Sequence, residues 1–278
     1  MTFIILCRGN KMHFHPLITV VIPSYNHAHY IEKAINSVFS QTYKNLEIIV
    51  VDDGSSDTSV ELIKKLSSEV GFTFIEQSNA GISKTLNKAI RDYSNGEYIC
   101  ILASDDYFHP EKIEKQIKAI AQHPSSEFCY TKAREFDSES GAAIREFPKK
   151  IIQGKVLGSV FFHQPYAAGT IMFTRSLFDR VGGFDEGLKI EDWDFSIRCA
   201  AETSFSVVDE PLFFYRSHQN NTIKKLDRRI VFKNKMQTLT KNYMLISPSR
   251  WIWIVIIHFV FDHYLFNFKR AIQSIMKK

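Results

Sequence analysis

Cysteine is scarce in this chain of 278 residues: there are four, Cys7, Cys100, Cys129 and Cys199, none in a C-x-x-C pair or at zinc-ligand spacing. That argues against a disulfide framework and a structural zinc site and points to a reducing cytosol. Glycine (12) and proline (8) are few, and no Pro/Gly/Ser-rich linker or internal repeat divides the chain. Glycine is missing where a dinucleotide site would need it, since the turn after the first apolar run reads PSYNHAHY, and no Walker sequence occurs. A phosphate group has no glycine-built cradle there. With 45% hydrophobic and 23% charged residues, neither wholesale disorder nor a multi-span membrane protein fits.

What is present is aromatic and unevenly charged. The 23 Phe favour a large aromatic core or an apolar contact surface. Of 35 basic and 30 acidic residues, twelve Lys or Arg and two Asp fall in residues 219–278, leaving 23 basic and 28 acidic in residues 1–218. A mildly acidic body with a basic tail suggests a soluble catalytic part and a tail facing something anionic. Residues 1–16 carry only a short apolar run, Phe3 to Cys7, too short for a signal-peptide core or a span, and read as a disordered or frayed extension with Met12 an alternative start. At the other end Trp251 to Phe268 reads WIWIVIIHFVFDHYLFNF, about a bilayer's length, but it contains His258, Asp262 and His263. A central Asp costs roughly 2.5–3.5 kcal/mol on insertion. Docking on its own domain, lying on the membrane and spanning it all stay open. The expectation is peripheral association with an anionic membrane on its cytoplasmic face, with Arg250, Lys269, Arg270, Lys277 and Lys278 at the headgroups. Nucleic acid ranks last, because the tail's aromatics cluster in one apolar helix instead of interleaving with basic residues.

Residues 17–218 read as one α/β domain. Ile18 to Ile22 predicts a strand ended by Pro23, and Ile31, Ala34, Ile35 and Val38 a helix over 28–39. Leu46 to Val51 is a second, uniformly apolar strand. Phe72 to Ile75, a helix from Ser83 to Tyr93, a strand from Tyr98 to Leu102 and a helix opening at Pro110 continue the alternation. Such strands between helices imply a Rossmann-like, mostly parallel sheet covered on both faces. After Ser125 the alternation fails; Glu127 to Phe136 and Ala167 to Thr174 predict strands without regular crossovers, so the second half is mixed. A helical extension, residues 219–278, follows.

In such sheets ligands bind beyond the carboxyl ends of strands. Three ends carry polar clusters: Pro23-Ser24-Tyr25-Asn26, Asp52-Asp53-Gly54-Ser55 and Ser104-Asp105-Asp106. Right-handed crossovers bring all three to one acidic edge. Asp105 and Asp106 suit a hard divalent cation bridging a diphosphate, and Asp53 and Tyr25 suit a base or ribose. Turn chemistry competes at residues 52–58, where Thr58 and Glu61 have capping-box spacing. A further group, Glu191-Asp192-Trp193-Asp194, follows the stretch Val181-Gly182-Gly183-Phe184-Asp185. Asp194 with Arg198 is explained as an i,i+4 pair, whereas a carboxylate of Glu191 or Asp192 suits a general base.

The order ITVVIPSYN, LEIIVVDDGSSD, NAGISKTLN, YICILASDD, VGGFDE and EDWDFSIR resembles the family 2 glycosyltransferases with the GT-A fold, over about Leu17 to His218. The resemblance implies an inverting transferase using a UDP, GDP or dTDP sugar and Mg²⁺ or Mn²⁺. By position it puts Pro23, Ser24, Tyr25 and Asp53 around the nucleoside, Lys84 near the donor, Asp105 at the ribose or metal, Asp106 on the metal, and Asp192 as the base. Ala103 stands where the family often has a further Asp, so the strict D-x-D form is absent. Arg216 and His218, in FFYRSH, are set at the diphosphate or metal, with a polar strand end as the equal alternative; His218 is carried as a metal ligand. His27 and His29 are assigned to a polar loop. The expected acceptor is a saccharide or lipid-linked saccharide of surface polysaccharide or lipopolysaccharide synthesis. The competing expectation is a non-catalytic nucleotide-sugar-binding or scaffolding protein of the same fold.

Overall fold

The computed structural model describes residues 15–219, 221 and 226–261. Its first half alternates: β1 (Ile18–Ser24), α1 (Ile31–Phe39), β2 (Leu46–Asp52), α2 (Ser59–Val70), β3 (Thr73–Glu76), α3 (Ile82–Lys88), β4 (Tyr98–Ile101), β5 (Tyr107–Phe108) and α4 (Lys112–Gln122). A π-helical turn, Ala89–Tyr93, prolongs α3. The second half is β6 (Ser126–Asp137), β7 (Ala143–Phe147), α5 (Leu157–Phe162), β8 (Met172–Thr174), α6 (Arg175–Val181), α7 (Glu191–Glu202), β9 (Ser204–Ser217), α8 (Arg228–Lys241) and α9 (Pro248–Val260).

One nine-stranded sheet runs β3-β2-β1-β4-β8-β6-β9-β5, with β7 beside β6. β3, β2, β1 and β4 are parallel; β8 is antiparallel to β4 and β6, and β9 runs parallel to β6. Both faces are covered because β1 is apolar on both: Ile18, Val20 and Ile22 join a core with Ile31, Ile35 and Val38 of α1, Ile63 of α2 and Ile113 of α4. Val21 joins the opposite core with Leu86 of α3, Phe161 of α5, Phe178 of α6, Phe195 of α7, Leu239 of α8 and Ile254 of α9. Each such side chain contributes roughly 1.5–3 kcal/mol by leaving water. The aromatic surplus is spent on this second face, where Phe173, Phe178, Phe184 and Phe195 pack ring on ring.

Three local expectations are corrected. The strand expected over 167–174 is only Met172–Thr174, after a 3₁₀ turn at Ala168–Thr170. That turn puts Gly169 against the Phe213 ring, leaving no room for a Cβ. The capping box at Thr58 and Glu61 does not form, since Thr58 makes no side-chain cap bond. Asp57 takes the role, its Oδ1 accepting from the Ser59 amide at 3.0 Å while Oδ2 accepts from the Ala28 amide at 3.1 Å. The helix expected from Pro110 starts at Lys112.

The extension packs on the domain. Buried Asp194 pairs with Arg198 at 2.7 Å and accepts from Asn242 Nδ2 at 2.7 Å, tying the end of α8 to α7. In α9, Ile254 is buried, and His258 is turned inward, its Nε2 2.9 Å from the Phe162 carbonyl oxygen and its ring against Trp193. The outward side is apolar instead: Ile252, Trp253, Ile256, Phe259 and Val260 are exposed. Cys7 and residues 262–278, with Asp262, His263 and the four terminal basic residues, lie outside the described residues. Among the described residues no helix is long and apolar enough to cross a membrane.

Candidate active site

Parallel pairing brings the strand ends to one edge. Ser24 lies opposite Asp52 in register, and Val21 opposite Ile101 of β4, two residues before Ala103. The loops beyond are sewn together. Asn26, at φ 56°, donates its amide to Ser55 Oγ at 2.8 Å, and its Oδ1 accepts from the Ser56 amide at 2.7 Å. Asp52 accepts from the Ser55 amide and hydroxyl, both at 2.7 Å, so turn chemistry accounts for it. Asp53 spans outward: Oδ1 accepts from Gln77 Nε2 and the Ala80 amide, each at 2.8 Å, and Oδ2 from the Gly81 amide at 2.9 Å. It fixes the loop that leads into α3, where Lys84, Lys88 and Arg91 line an open pocket of about 580 Å³ with Gln77 and Ala80.

Around this edge Pro23 is buried within β1, and Tyr25 is 50% exposed with its ring free to stack. Ser24 is 1% exposed, and its Oγ has no hydrogen-bond partner. A buried hydroxyl without a partner is costly, and a ligand group reaching the strand end would relieve it.

The end of β4 meets the end of β9. His218 Nε2 lies 3.0 Å from Asp105 Oδ2, and His27 Nδ1 lies 2.7 Å from Ser104 Oγ. One ligand atom from each of His27, Asp105 and His218 falls within 4.8 Å of the others. Two imidazoles and a carboxylate at that spacing fit a divalent transition ion. Asp106 sits beside them, buried, its Oδ1 accepting from the Arg216 amide at 2.7 Å. Burial, then the charge of Asp105, holds its carboxyl well above the ordinary range, against the pull of Arg216. The Arg216 guanidinium donates Nε to the Asp105 carbonyl at 2.7 Å, lies over the Tyr30 and Phe136 rings, and forms no ion pair among the described residues. Its charge acts on the Asp106 carboxylate, so a buried cation stands beside the cluster. Burial also pushes the His27 imidazole below its ordinary value, against Asp105.

The second carboxylate group opens α7, which packs on α5. Asp192 Oδ2 accepts from Gln164 Nε2 at 3.0 Å and Oδ1 from the Trp193 amide at 2.9 Å. Burial raises the Asp192 carboxyl, and those two donors oppose the rise; Glu191 is pushed up to about 8, by burial first and then by the charge of Asp192. The loop before α7 is clamped to α3: the Phe184 amide donates to Asn87 Oδ1 at 2.8 Å, and Gly183, at φ 77°, passes where a Cβ would meet that oxygen.

The glycosyl transferase family 2 pattern matches residues 19–182. The chain belongs to this family. It is a glycosyltransferase. Over 278 aligned residues it is 28% identical to an uncharacterized glycosyltransferase of Rickettsia typhi, covering 95% of this chain and 86% of that one. Chondroitin synthase of Escherichia coli is 29% identical over 215 residues, 76% of this chain and 31% of that protein. Among solved structures, S. aureus TarS 1-349 in complex with UDP-GlcNAc superposes with a TM-score of 0.72 at 19% identity, covering 90% of this chain and 73% of TarS. The mannosyltransferase PcManGT of Pyrobaculum calidifontis, in complex with GDP-Man and Mn²⁺, gives 0.67 at 19% identity, covering 91% and 71%. These likenesses establish the GT-A fold.

In the glycosyltransferase the edge gathers Ser24, Asp53, Asp105, Asp106 and His218, while the hydrogen bonds of Asp192 run to Gln164 and its own helix. Sequence reasoning left out His27, Gln164 and Asn87. Only His27 carried a signal, its place directly after the first strand-end cluster.

Proposed function

We propose that this transferase moves a sugar from a nucleotide-sugar donor to a hydroxyl with inversion, by a single in-line displacement. The observation that carries the reading is the split of carboxylates into two environments: one set at the strand ends beside His27, His218 and Arg216, and one pair at the start of α7 held by Gln164. In the pair, Gln164 Nε2 and the Trp193 amide both donate to Asp192 and favour its anion, so Asp192 is the group that accepts the acceptor hydroxyl's proton. The freed oxygen forms a bond to the anomeric carbon as the bond to the diphosphate oxygen breaks, its electron pair leaving with the diphosphate. One base acting from one side gives inversion.

Pro23, Ser24, Tyr25 and Asp53 are assigned to the nucleoside, Lys84 to the donor, Asp105 to the ribose or metal, and Asp106 and His218 to the metal. A Mg²⁺ or Mn²⁺ ion bound there supplies charge that stabilises the leaving diphosphate. TarS with UDP-GlcNAc and PcManGT with GDP-Man and Mn²⁺ support a UDP, GDP or dTDP sugar and a divalent ion. The acceptor reading is a lipid-linked saccharide at the cytoplasmic face of a membrane, in surface polysaccharide or lipopolysaccharide synthesis. It is supported by the exposed apolar side of α9, whose inner side touches Trp193, the neighbour of Asp192.

The test is a transfer assay with the product's anomeric configuration read by NMR. The linkage is expected inverted, and Asp192→Asn should lower turnover about 10²-fold or more with donor affinity within a few fold. Retained configuration would reject inversion. Wild-type-like turnover in Asp192→Asn would reject the base.

A further inference from the structure

We propose that His27, through Nε2, binds the divalent ion together with His218 and the Asp105–Asp106 carboxylates, so that the strand-end site presents two imidazoles and prefers transition ions to Mg²⁺. This rests on the assignment of a metal to that cluster, and on neither the donor's identity nor the base.

One ligand atom each of His27, Asp105 and His218 lies within 4.8 Å of the others. Ligands bound at about 2.1 Å sit about 3 Å apart when adjacent and about 4.2 Å apart when opposite, so gathering these three needs only small adjustment.

His27 is also held in place through its ring and its backbone. Its Nδ1 lies 2.7 Å from the hydroxyl of buried Ser104, which occupies that nitrogen and leaves Nε2 as the ring's other donor atom. Metal-binding imidazoles are characteristically fixed through the other ring nitrogen in this way. The backbone is fixed as well: the His27 amide donates to Ser59 Oγ at 3.1 Å, and the His27 carbonyl accepts from the Tyr30 and Ile31 amides at 2.9 and 3.0 Å. The backbone bonds fix the start of α1 and with it the place of His27, and the Ser104 hydroxyl orients the ring before any ion arrives.

Ala103 removes the second carboxylate of a D-x-D pair, and the Oδ1 of Asp106 is already engaged by the Arg216 amide. The chain is short of carboxylate oxygen at this point and supplies imidazole nitrogen. Mg²⁺ is a hard ion that favours oxygen, whereas imidazole suits transition ions in the order Mn²⁺ below Co²⁺.

The experiment titrates the full chain with Mn²⁺ without nucleotide, following free Mn²⁺ by EPR, with Mg²⁺ as competitor. Wild type, His27→Gln and Ser104→Ala are compared after thermal melts show that each folds. Expected are binding by wild type, a loss of about 10-fold or more in both variants, and a Mn²⁺/Mg²⁺ preference that shrinks in His27→Gln. Pulsed EPR of bound Mn²⁺ should show two coordinated imidazoles in wild type and one in His27→Gln. Absence of Mn²⁺ binding by wild type, unchanged affinity in His27→Gln, or one imidazole in wild type would each overturn the proposal. The transfer assay separates it from the functional reading: no transfer with two imidazoles on Mn²⁺ defeats that reading alone, and transfer with unchanged Mn²⁺ affinity in His27→Gln defeats this one alone.

Discussion

Two adjacent carboxylates at the start of α7 cannot both ionise without cost, and their surroundings decide which keeps the proton. Burial raises both; Gln164 and the Trp193 amide donate to Asp192 and oppose its rise, while Glu191 is raised from 4.5 to about 8. The folded chain then binds more protons than the unfolded chain between about 4.5 and about 8, so Glu191 makes stability fall as pH rises through that window. Glu191→Gln removes this term. Its melting temperature, compared with wild type at pH 5 and at pH 8, is expected to gain relative to wild type at the higher pH. Turnover should stay within about threefold, because the proton-bearing partner is replaced by a neutral one of the same shape. Parallel melting temperatures across that range would show that Glu191 ionises normally, and a collapse of turnover would move the base from Asp192 to Glu191.

Elements reach the site through their ends, so a fault inside one is felt at its tip. The 3₁₀ turn at Ala168–Thr170 lets the Phe213 ring lie on Gly169, and three residues further along β9 Arg216 meets Asp105 and Asp106. Gly169→Ala would press a methyl group into that ring. Overpacking of this kind costs about 1–3 kcal/mol, to be read from urea unfolding. Mn²⁺ affinity should fall with it, since His218 follows β9 directly; unchanged stability would show that the ring moves aside freely. The same places mark what the sequence could reveal. β1, β2 and β4 and their polar ends were legible because both signals, an apolar run and the residues closing it, are local. The turn at Gly169 was not, because its cause is a ring more than forty positions away. The capping box failed likewise: Thr58 and Glu61 had the spacing, but Asp57 also had the Ala28 amide to hold, a tie between two loops. His27 read as a polar loop residue because Ser104, which orients it, belongs to the turn beyond another strand. Gln164 lies in the stretch without periodicity, where no pattern marked it.

At the scale of the molecule, charge and apolar surface are segregated to one end. Residues 219–278 hold twelve of the 35 basic residues, and α9 buries Ile254 while exposing Ile252, Trp253, Ile256, Phe259 and Val260. A helix whose inner side serves a core and whose outer side is apolar has no reason to face water. Arg250 at its start, with Arg228, Arg229, Lys233 and Lys235 on α8, suits an anionic lipid surface, where each basic residue near the headgroups contributes about 1 kcal/mol. Binding there would bring the α5–α7 side, with Trp193 and Asp192, towards a lipid-borne acceptor. Sedimentation with vesicles containing phosphatidylserine should therefore carry the chain down at low salt and release much of it at high salt. Trp253→Asp combined with Ile256→Asp should weaken binding about 10-fold or more, because it places two carboxylates at the interface. Transfer to a water-soluble acceptor should be unchanged, as neither side chain reaches the carboxylates. A chain that ignores anionic vesicles, or a double variant that binds them as wild type does, would assign that apolar side to something other than lipid.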